Sequence, residues 1–203
     1  MHLATYLPLT LCDYPGRIAA IIFTQGCNFR CPWCHNKHLI PSAPRDAENA
    51  SQSPAINAPA LLAEVSARCR EGTLEGLVIS GGEPTVQPDI IQFLRDCKTL
   101  SIPIKLDTNG SNPAILRAAF AENLLAFVAM DVKAPLKKYA QLCGAPVDTS
   151  TITESISAIC ASGIPHQFRV TVIPALLDAS DLDAIRALLP SNEPLAQQRY
   201  RSP

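Results

Sequence analysis

The chain has no excess of charge of either sign. Seventeen lysines and arginines face 18 aspartates and glutamates over 203 residues, for a net charge of −1 and a pI near 6.4. That balance leaves no electrostatic footprint for a nucleic acid or an anionic membrane as partner. Met1 to Leu11 has neither a basic n-region nor a sustained apolar stretch, so no secretory signal is expected there. No apolar run approaches the length of a membrane span. There is no sequence repeat and no second CxxC-type cluster. Cys12, Cys69, Cys97, Cys143 and Cys160 are scattered without pairing spacing and read as reduced, mostly buried thiols. The expectation is a soluble, cytoplasmic protein with one domain over residues 1–203, long enough for a full core and too short for two comfortable ones.

What is present is concentrated in Gln25-Gly26-Cys27-Asn28-Phe29-Arg30-Cys31-Pro32-Trp33-Cys34-His35-Asn36. Three cysteines at CxxxCxxC spacing follow directly on the apolar run Ile18 to Phe23. Thiolates so close together in a loop leaving a strand converge on one metal centre. They leave one corner of a four-cornered centre without a nearby protein ligand, which favours a [4Fe–4S] cluster with one iron open to a substrate. Zinc held by Cys27, Cys31, Cys34 and either His35 or His38 is an alternative, because spacing does not identify a metal. Disulfides are a third reading, weakened by the odd number of cysteines and the absence of a secretory signal.

Beyond this loop the chain alternates between two periodicities. Asp13-Tyr14-Pro15-Gly16 is a turn before a strand over Arg17 to Thr24. Pro41 to Pro59 shifts to Pro, Ser, Ala and Asn and reads as an irregular surface loop. Leu61, Leu62, Val65 and Cys69 recur at helical spacing, closed by Gly72. Strands are expected at Gly76 to Ser80, Ile102 to Leu106, Leu125 to Met130 and Phe168 to Ile173, with a weak last one from Leu195 to Tyr200. Between them lie helix faces at Ile90, Ile91, Leu94 and Cys97, at Ile115, Leu116 and Phe120 after Asn112-Pro113, and at Ile152, Ile156 and Ile159. A capping box at Ser180 to Asp183 opens the last helix, which carries Leu182, Ile185 and Leu189. This repetition gives a parallel sheet with right-handed crossovers. The fold class is α/β, an incomplete (β/α)6 barrel, with a doubly wound open sheet as the alternative.

In such barrels the working residues sit at the C-terminal ends of the strands. The unusual polar clusters fall there in series: the three cysteines, then Ser80-Gly81-Gly82-Glu83-Pro84, then Asp107-Thr108-Asn109-Gly110, then Met130-Asp131-Val132-Lys133, with Arg169 opening the next strand. Gly81 and Gly82 allow backbone N–H groups close to a ligand. Glu83 suits an ammonium group, or is a solvated loop acid. Asp107 and Asp131 would repel unless a cation lies between them, with Thr108 and Met130 as further oxygen donors. Lys133 and Arg169 offer partners for a carboxylate or ribose, or are surface charges.

CxxxCxxC with an aromatic before the last cysteine, followed by GGEP, resembles the radical S-adenosylmethionine (SAM) enzymes. The further series DTNG, MDVK and Arg-Val-Thr-Val-Ile-Pro, with the opening Asp-Tyr-Pro-Gly, resembles the activating enzymes of glycyl radical enzymes, above all those of anaerobic ribonucleoside-triphosphate reductase. The resemblance covers about Leu9 to Pro174. It implies that Cys27, Cys31 and Cys34 bind three irons of a [4Fe–4S] cluster while SAM chelates the fourth through its amino and carboxylate groups. Around SAM it places Trp33 near the adenine, Gly81, Gly82 and Glu83 at the amino group, and Asp107, Asn109, Asp131, Lys133 and Arg169 alongside. Asp107, Thr108, Met130 and Asp131 correspond to a monovalent-cation site in related activases. The implied reaction is reductive cleavage of SAM to a 5′-deoxyadenosyl radical, which takes hydrogen from a glycine of the partner. A flavodoxin- or ferredoxin-type donor supplies the electron.

Activation of a pyruvate formate-lyase-type partner and action on a small molecule are the neighbouring readings. The short barrel leaves little chain for a lid, which favours a protein substrate. A non-catalytic metal-binding module would leave GGEP, DTNG and MDVK as coincidences. Lys37 stands where relatives often have proline, and the Pro41 to Pro59 loop carries no recognisable motif of the family.

Overall fold

The computed structural model describes residues 1–40 and 56–201. The expected irregular loop from Pro41 lies outside the described residues as far as residue 55. Its expected end is too late, because helix α1 (Ala58–Arg70) already begins at Asn57, whose side chain accepts from the Ala60 N–H.

Among the described residues a single sheet of seven strands organises the chain. The strands are β1 (Leu3–Thr10), β2 (Ala19–Thr24), β3 (Gly76–Gly81), β4 (Ile104–Thr108), β5 (Phe127–Asp131), β6 (His166–Val172) and β7 (Leu195–Arg199). They lie side by side in chain order, and β2 to β7 are all parallel. The crossovers carry α1, α2 (Ile90–Lys98), α3 (Pro113–Ala121), α4 (Tyr139–Cys143), α5 (Thr149–Ala161) and α6 (Ala179–Arg186). An order that never reverses has no topological switch point, which removes the doubly wound alternative. The β1 and β7 edges do not pair with each other, so the six parallel strands form an incomplete barrel.

Strand β1, antiparallel to β2, is an addition to the expected elements. Pro8 interrupts its pattern, and a proline within a run argues against a central strand. The structure accommodates it on an edge strand with register shifts between Leu7 and Thr10. Two further boundaries differ from expectation. Pro103 has no N–H to donate, so β4 starts after it and extends through Asp107 and Thr108. The last helix is capped two residues earlier than expected, by a box of Asp178 and Asp181, with Leu189 beyond its end. Asp181 also bonds Lys138, at 2.7 Å, which adds a reason for this pair over Ser180 and Asp183.

The two faces of the sheet bury different things. The helix-facing side holds the main core, including Ile22, Leu77, Ile79, Leu106, Val128, Met130 and Phe168. The inner side is small: Tyr14, Ala19, Ile21 and Val78 pack with Phe23 and Phe127. Above this plug, towards the strand C-termini, the inward positions turn polar at Ser80, Asp107, Asp131 and Arg169. Side chains alternate along a strand, so residues two apart share the inner face.

Candidate active site

The cysteine loop leaves β2 through Gln25 and Gly26 and is fixed by its own sequence. Phe29 and Trp33, which alternate with the cysteines, are both buried in the main core and act as anchors. Phe29 meets Tyr139 edge-on, with ring centroids 6.3 Å apart. The Arg30 N–H donates to the Cys143 carbonyl at 2.7 Å, and the Cys34 N–H to the Cys31 carbonyl at 3.1 Å. Anchored this way, Cys27, Cys31 and Cys34 all face one cavity.

The thiols are not gathered around one point as they would be around a single ion. One zinc with thiolate bonds near 2.3 Å holds its sulfurs about 3.8 Å apart. Among the described residues, these three sulfurs are not all within 4.8 Å of one another. His35, a candidate fourth zinc ligand, instead donates to the Arg201 carbonyl at 2.7 Å and stacks on Tyr200. A cubane, which places an iron behind each thiolate, takes a wider triangle of sulfurs than one ion does, and three donors leave its fourth iron open.

Electrostatics around the sulfurs are uneven. Burial pushes the Cys27 thiol up to about 11, against the N–H of Phe29, which points at its sulfur at 3.3 Å. The neighbouring Cys143 thiol holds Cys31 below its ordinary range, against burial and with help from the Lys133 ammonium. The nearby Cys31 sulfur, together with burial, drives Cys143 far up, so that it stays protonated. Sequence reading had set Cys143 among the scattered thiols. It lies far along the chain from Cys31, and no local pattern links the two.

The GGEP segment works differently from expectation. A Cβ on Gly82 would run into the Gly26 carbonyl, and one on Gly81 into the Thr24 backbone. Both glycines therefore serve the close approach of this segment to the cysteine loop. The N–H groups of Gly82 and Glu83 donate to Thr24 and Gly26 at 2.9 and 2.8 Å, so they do not form a cradle for a ligand. Glu83 is neither a solvated loop acid nor a free carboxylate, being only 1% exposed. Its Oε1 accepts from the Thr85 N–H, the Thr85 hydroxyl and the Thr108 hydroxyl, and its Oε2 from the Asn109 N–H at 2.6 Å. Burial pushes this carboxyl up from the ordinary glutamate range, while those hydrogen bonds act in the opposite direction. Glu83 clamps the end of β3 to the end of β4, and Asn109 continues the clamp to Asn28 at 2.9 Å.

Asp107 and Asp131 are balanced by the chain itself. Lys105, 2% exposed beneath Asp107 on the same face of β4, bonds it. Lys133 bonds Asp131 at 2.9 Å. Arg169, within β6 and not at its start, donates from Nε to Asp131 at 2.7 Å and reaches Asp107 at 3.5 Å. Burial opposes the Asp131 charge, but Lys133 and Arg169 outweigh it and hold the carboxyl well below the usual carboxylate range. The cation expected between the two acids is thus supplied by a guanidinium. Lys105 was missed, although a lysine two residues before an aspartate in a strand shares its face.

Every residue expected around the cluster, SAM or the monovalent cation lines one cavity except Met130, and His38 lies outside it too. Met130 is wholly buried on the helix side, and a Cβ on Gly110 would strike its side chain. Thr171 and Gln198, from β6 and β7, join the cavity wall and carried no sequence signal.

The Radical SAM superfamily profile matches residues 21–188. A protein of Methanocaldococcus jannaschii, provisionally named as a glycyl-radical enzyme activating enzyme, is 29% identical over 95% of this chain and 77% of its own length. The 7-carboxy-7-deazaguanine synthase of Thermoplasma acidophilum is 27% identical over 62% of this chain and 52% of its own. The pyruvate formate-lyase-activating enzyme of Clostridium pasteurianum is 34% identical over 49% of this chain and 40% of its own. Among solved structures, Streptococcus suis SuiB superposes with a TM-score of 0.64 at 15% identity, over 90% of this chain and 39% of that one, a likeness of fold. The chain belongs to the radical SAM superfamily, and the cofactors its site takes are a [4Fe–4S] cluster and S-adenosylmethionine.

Proposed function

We propose that the chain is an activating enzyme that installs a glycyl radical on a partner enzyme, with anaerobic ribonucleoside-triphosphate reductase as the preferred partner. A flavodoxin- or ferredoxin-type protein is the electron donor in this reading. The observation that carries it is extent: likeness to the relative named for glycyl-radical enzyme activation runs over 95% of the chain. A site at the mouth of an unclosed barrel also suits a glycine presented on a protein loop. When bound, the reduced cluster and SAM together supply a 5′-deoxyadenosyl radical that takes hydrogen from that glycine.

The chain's own residues bind and orient. Cys27, Cys31 and Cys34 would hold three irons, with the Cys143 thiol beside Cys31. Since the N–H groups of Gly82 and Glu83 are turned inward, the Gly81 and Gly82 carbonyls are the groups that would accept from the SAM ammonium. Lys133 and Arg169 would meet its carboxylate, and Asp131 keeps both cations in place. Trp33 anchors the loop from the core, and Glu83 and Asn109 hold the two loops at a fixed separation.

A pyruvate formate-lyase-type partner is the second reading, favoured by the higher identity of the clostridial relative over about half the chain. The test is electron paramagnetic resonance on the anaerobically reconstituted, reduced protein, with and without SAM, followed by addition of each purified partner. A cluster signal that shifts with SAM and a glycyl radical doublet with the reductase are the expected results. A doublet only with the lyase moves the assignment to the second reading. SAM cleavage supported by a small molecule and by neither protein would sink both.

A further inference from the structure

At the opposite end of the sheet from the cysteine loop, three side chains meet that the proposed reaction does not use. The Cys160 sulfur, a His166 ring nitrogen and a Glu193 carboxylate oxygen lie within 4.8 Å of one another, the one such group among the described residues. They come from three elements: the last turn of α5, the first residue of β6, and the segment just before β7. The His166 and Glu193 side chains are 13% and 18% exposed, enclosed but reachable from solvent.

The hydrogen bonds fix one nitrogen of the imidazole. His166 Nδ1 lies 2.7 Å from the Ile164 carbonyl, which only accepts, so Nδ1 carries a proton. Nε2 then faces Glu193 Oε2 at 3.0 Å. Two lone pairs so close require something positive between or beside them, either a second proton on the ring or a metal ion. A proton accounts for the pair but gives Cys160 no part, whereas a metal uses all three donors. A ring N–H held by a backbone carbonyl, with the other nitrogen turned to an acid and a thiol, is also the arrangement that orients a ligating histidine. Thiolate, imidazole and carboxylate together match a borderline divalent ion, and their two negative charges cancel its two positive ones, as a half-enclosed site requires. Zinc bonds of about 2.0–2.3 Å put donors roughly 3.3–3.6 Å apart, so closing on the ion takes movements of about an ångström.

We propose that Cys160, His166 and Glu193 bind one Zn2+ ion, with water as the fourth ligand, which ties α5 and β6 to the segment entering β7. The thiol proton of Cys160 is released to solvent as the ion binds. At the N-terminal end of the strands the ion serves stability, since chemistry in these barrels belongs to the other face.

The test uses protein already loaded with its [4Fe–4S] cluster, so that Cys27, Cys31 and Cys34 are committed. Zn2+ alone is added anaerobically, the excess dialysed away, and zinc and iron measured together with the zinc K-edge absorption spectrum. The expected result is one zinc per chain with a single sulfur and otherwise nitrogen and oxygen neighbours. His166→Gln and Cys160→Ser should weaken zinc binding roughly tenfold or more with iron unchanged. No retained zinc, zinc with a sulfur-rich shell, or zinc equally retained in both variants overturns the proposal. If the variants do not fold, the wild-type zinc content and shell decide it alone. Because no readout depends on SAM or a partner enzyme, failure here leaves the proposed activity standing.

Discussion

Arg169 and Asp131 stand opposite one another in adjacent parallel strands, paired in register and joined by a hydrogen bond of 2.7 Å from Nε to Oδ1. The same guanidinium extends to Asp107 at 3.5 Å, so one side chain holds two acids from two strands. Lys105 and Lys133 complete a cluster of three cations around two carboxylates on the polar half of the inner face.

Arg169→Gln is expected to destabilise the cluster-free protein at pH 7 by about 3 kcal/mol, the low end for breaking a buried pair, because Asp131 keeps 25% of its side chain exposed. The Asp131 carboxyl is depressed in the folded state relative to an unfolded value near 3.9. The network's contribution is therefore fully present above about pH 4 and lost as the pH falls toward the depressed folded value. Urea denaturation from pH 7 down to pH 3 should show the gap between variant and wild type narrowing below pH 4. A constant gap would mean that Arg169 acts through packing.

Gly82→Ala places a methyl group against the Gly26 carbonyl, a backbone atom that cannot rotate away. Overpacking of this kind costs about 1–3 kcal/mol and displaces the neighbouring chain. The variant should fold with a lowered melting temperature and retain less iron after reconstitution than wild type. Full iron content would show that the cysteine loop tolerates the shift.

Glu83→Gln keeps the shape of the side chain but turns an amide NH2 toward donors. The Thr85 and Asn109 N–H groups approach different oxygens of Glu83, and the amide offers only one acceptor. One buried N–H is left without a partner in either orientation, at a cost of about 1–3 kcal/mol. Chemical denaturation should report that loss. An unchanged stability would refute the clamp.

Cys143→Ala removes the thiol beside the Cys31 sulfur, a donor available to it, while leaving the three iron ligands intact. Hydrogen bonds to cluster sulfurs stabilise the reduced state, so the reduction potential should fall. A bond worth about 1 kcal/mol corresponds to a one-electron shift of about 40 mV. Spectroelectrochemical titration of the reconstituted protein measures it, with iron per chain as the control. Loss of iron would instead make Cys143 a structural requirement of the loop.

What the sequence by itself determined was everything carried by short-range order. The alternation of apolar runs with helical faces set six parallel strands, and CxxxCxxC, GGEP, DTNG and MDVK marked the C-terminal ends where the cavity forms. Strand β1 escaped because Pro8 masks its pattern, and edge strands tolerate what central ones do not. Only the tertiary structure decided the parts that depend on long-range pairing. Glu83 became a buried clamp because β4 brought Thr108 and Asn109 to it. Arg169 became the counter-ion of two acids because the register of β5 and β6 put it opposite Asp131. Cys143 became the neighbour of Cys31 because α4 packs under the cysteine loop. Periodicity records which face a residue occupies, but which side chains share a charge or a proton depends on strand order and register, and those are settled only when the sheet assembles.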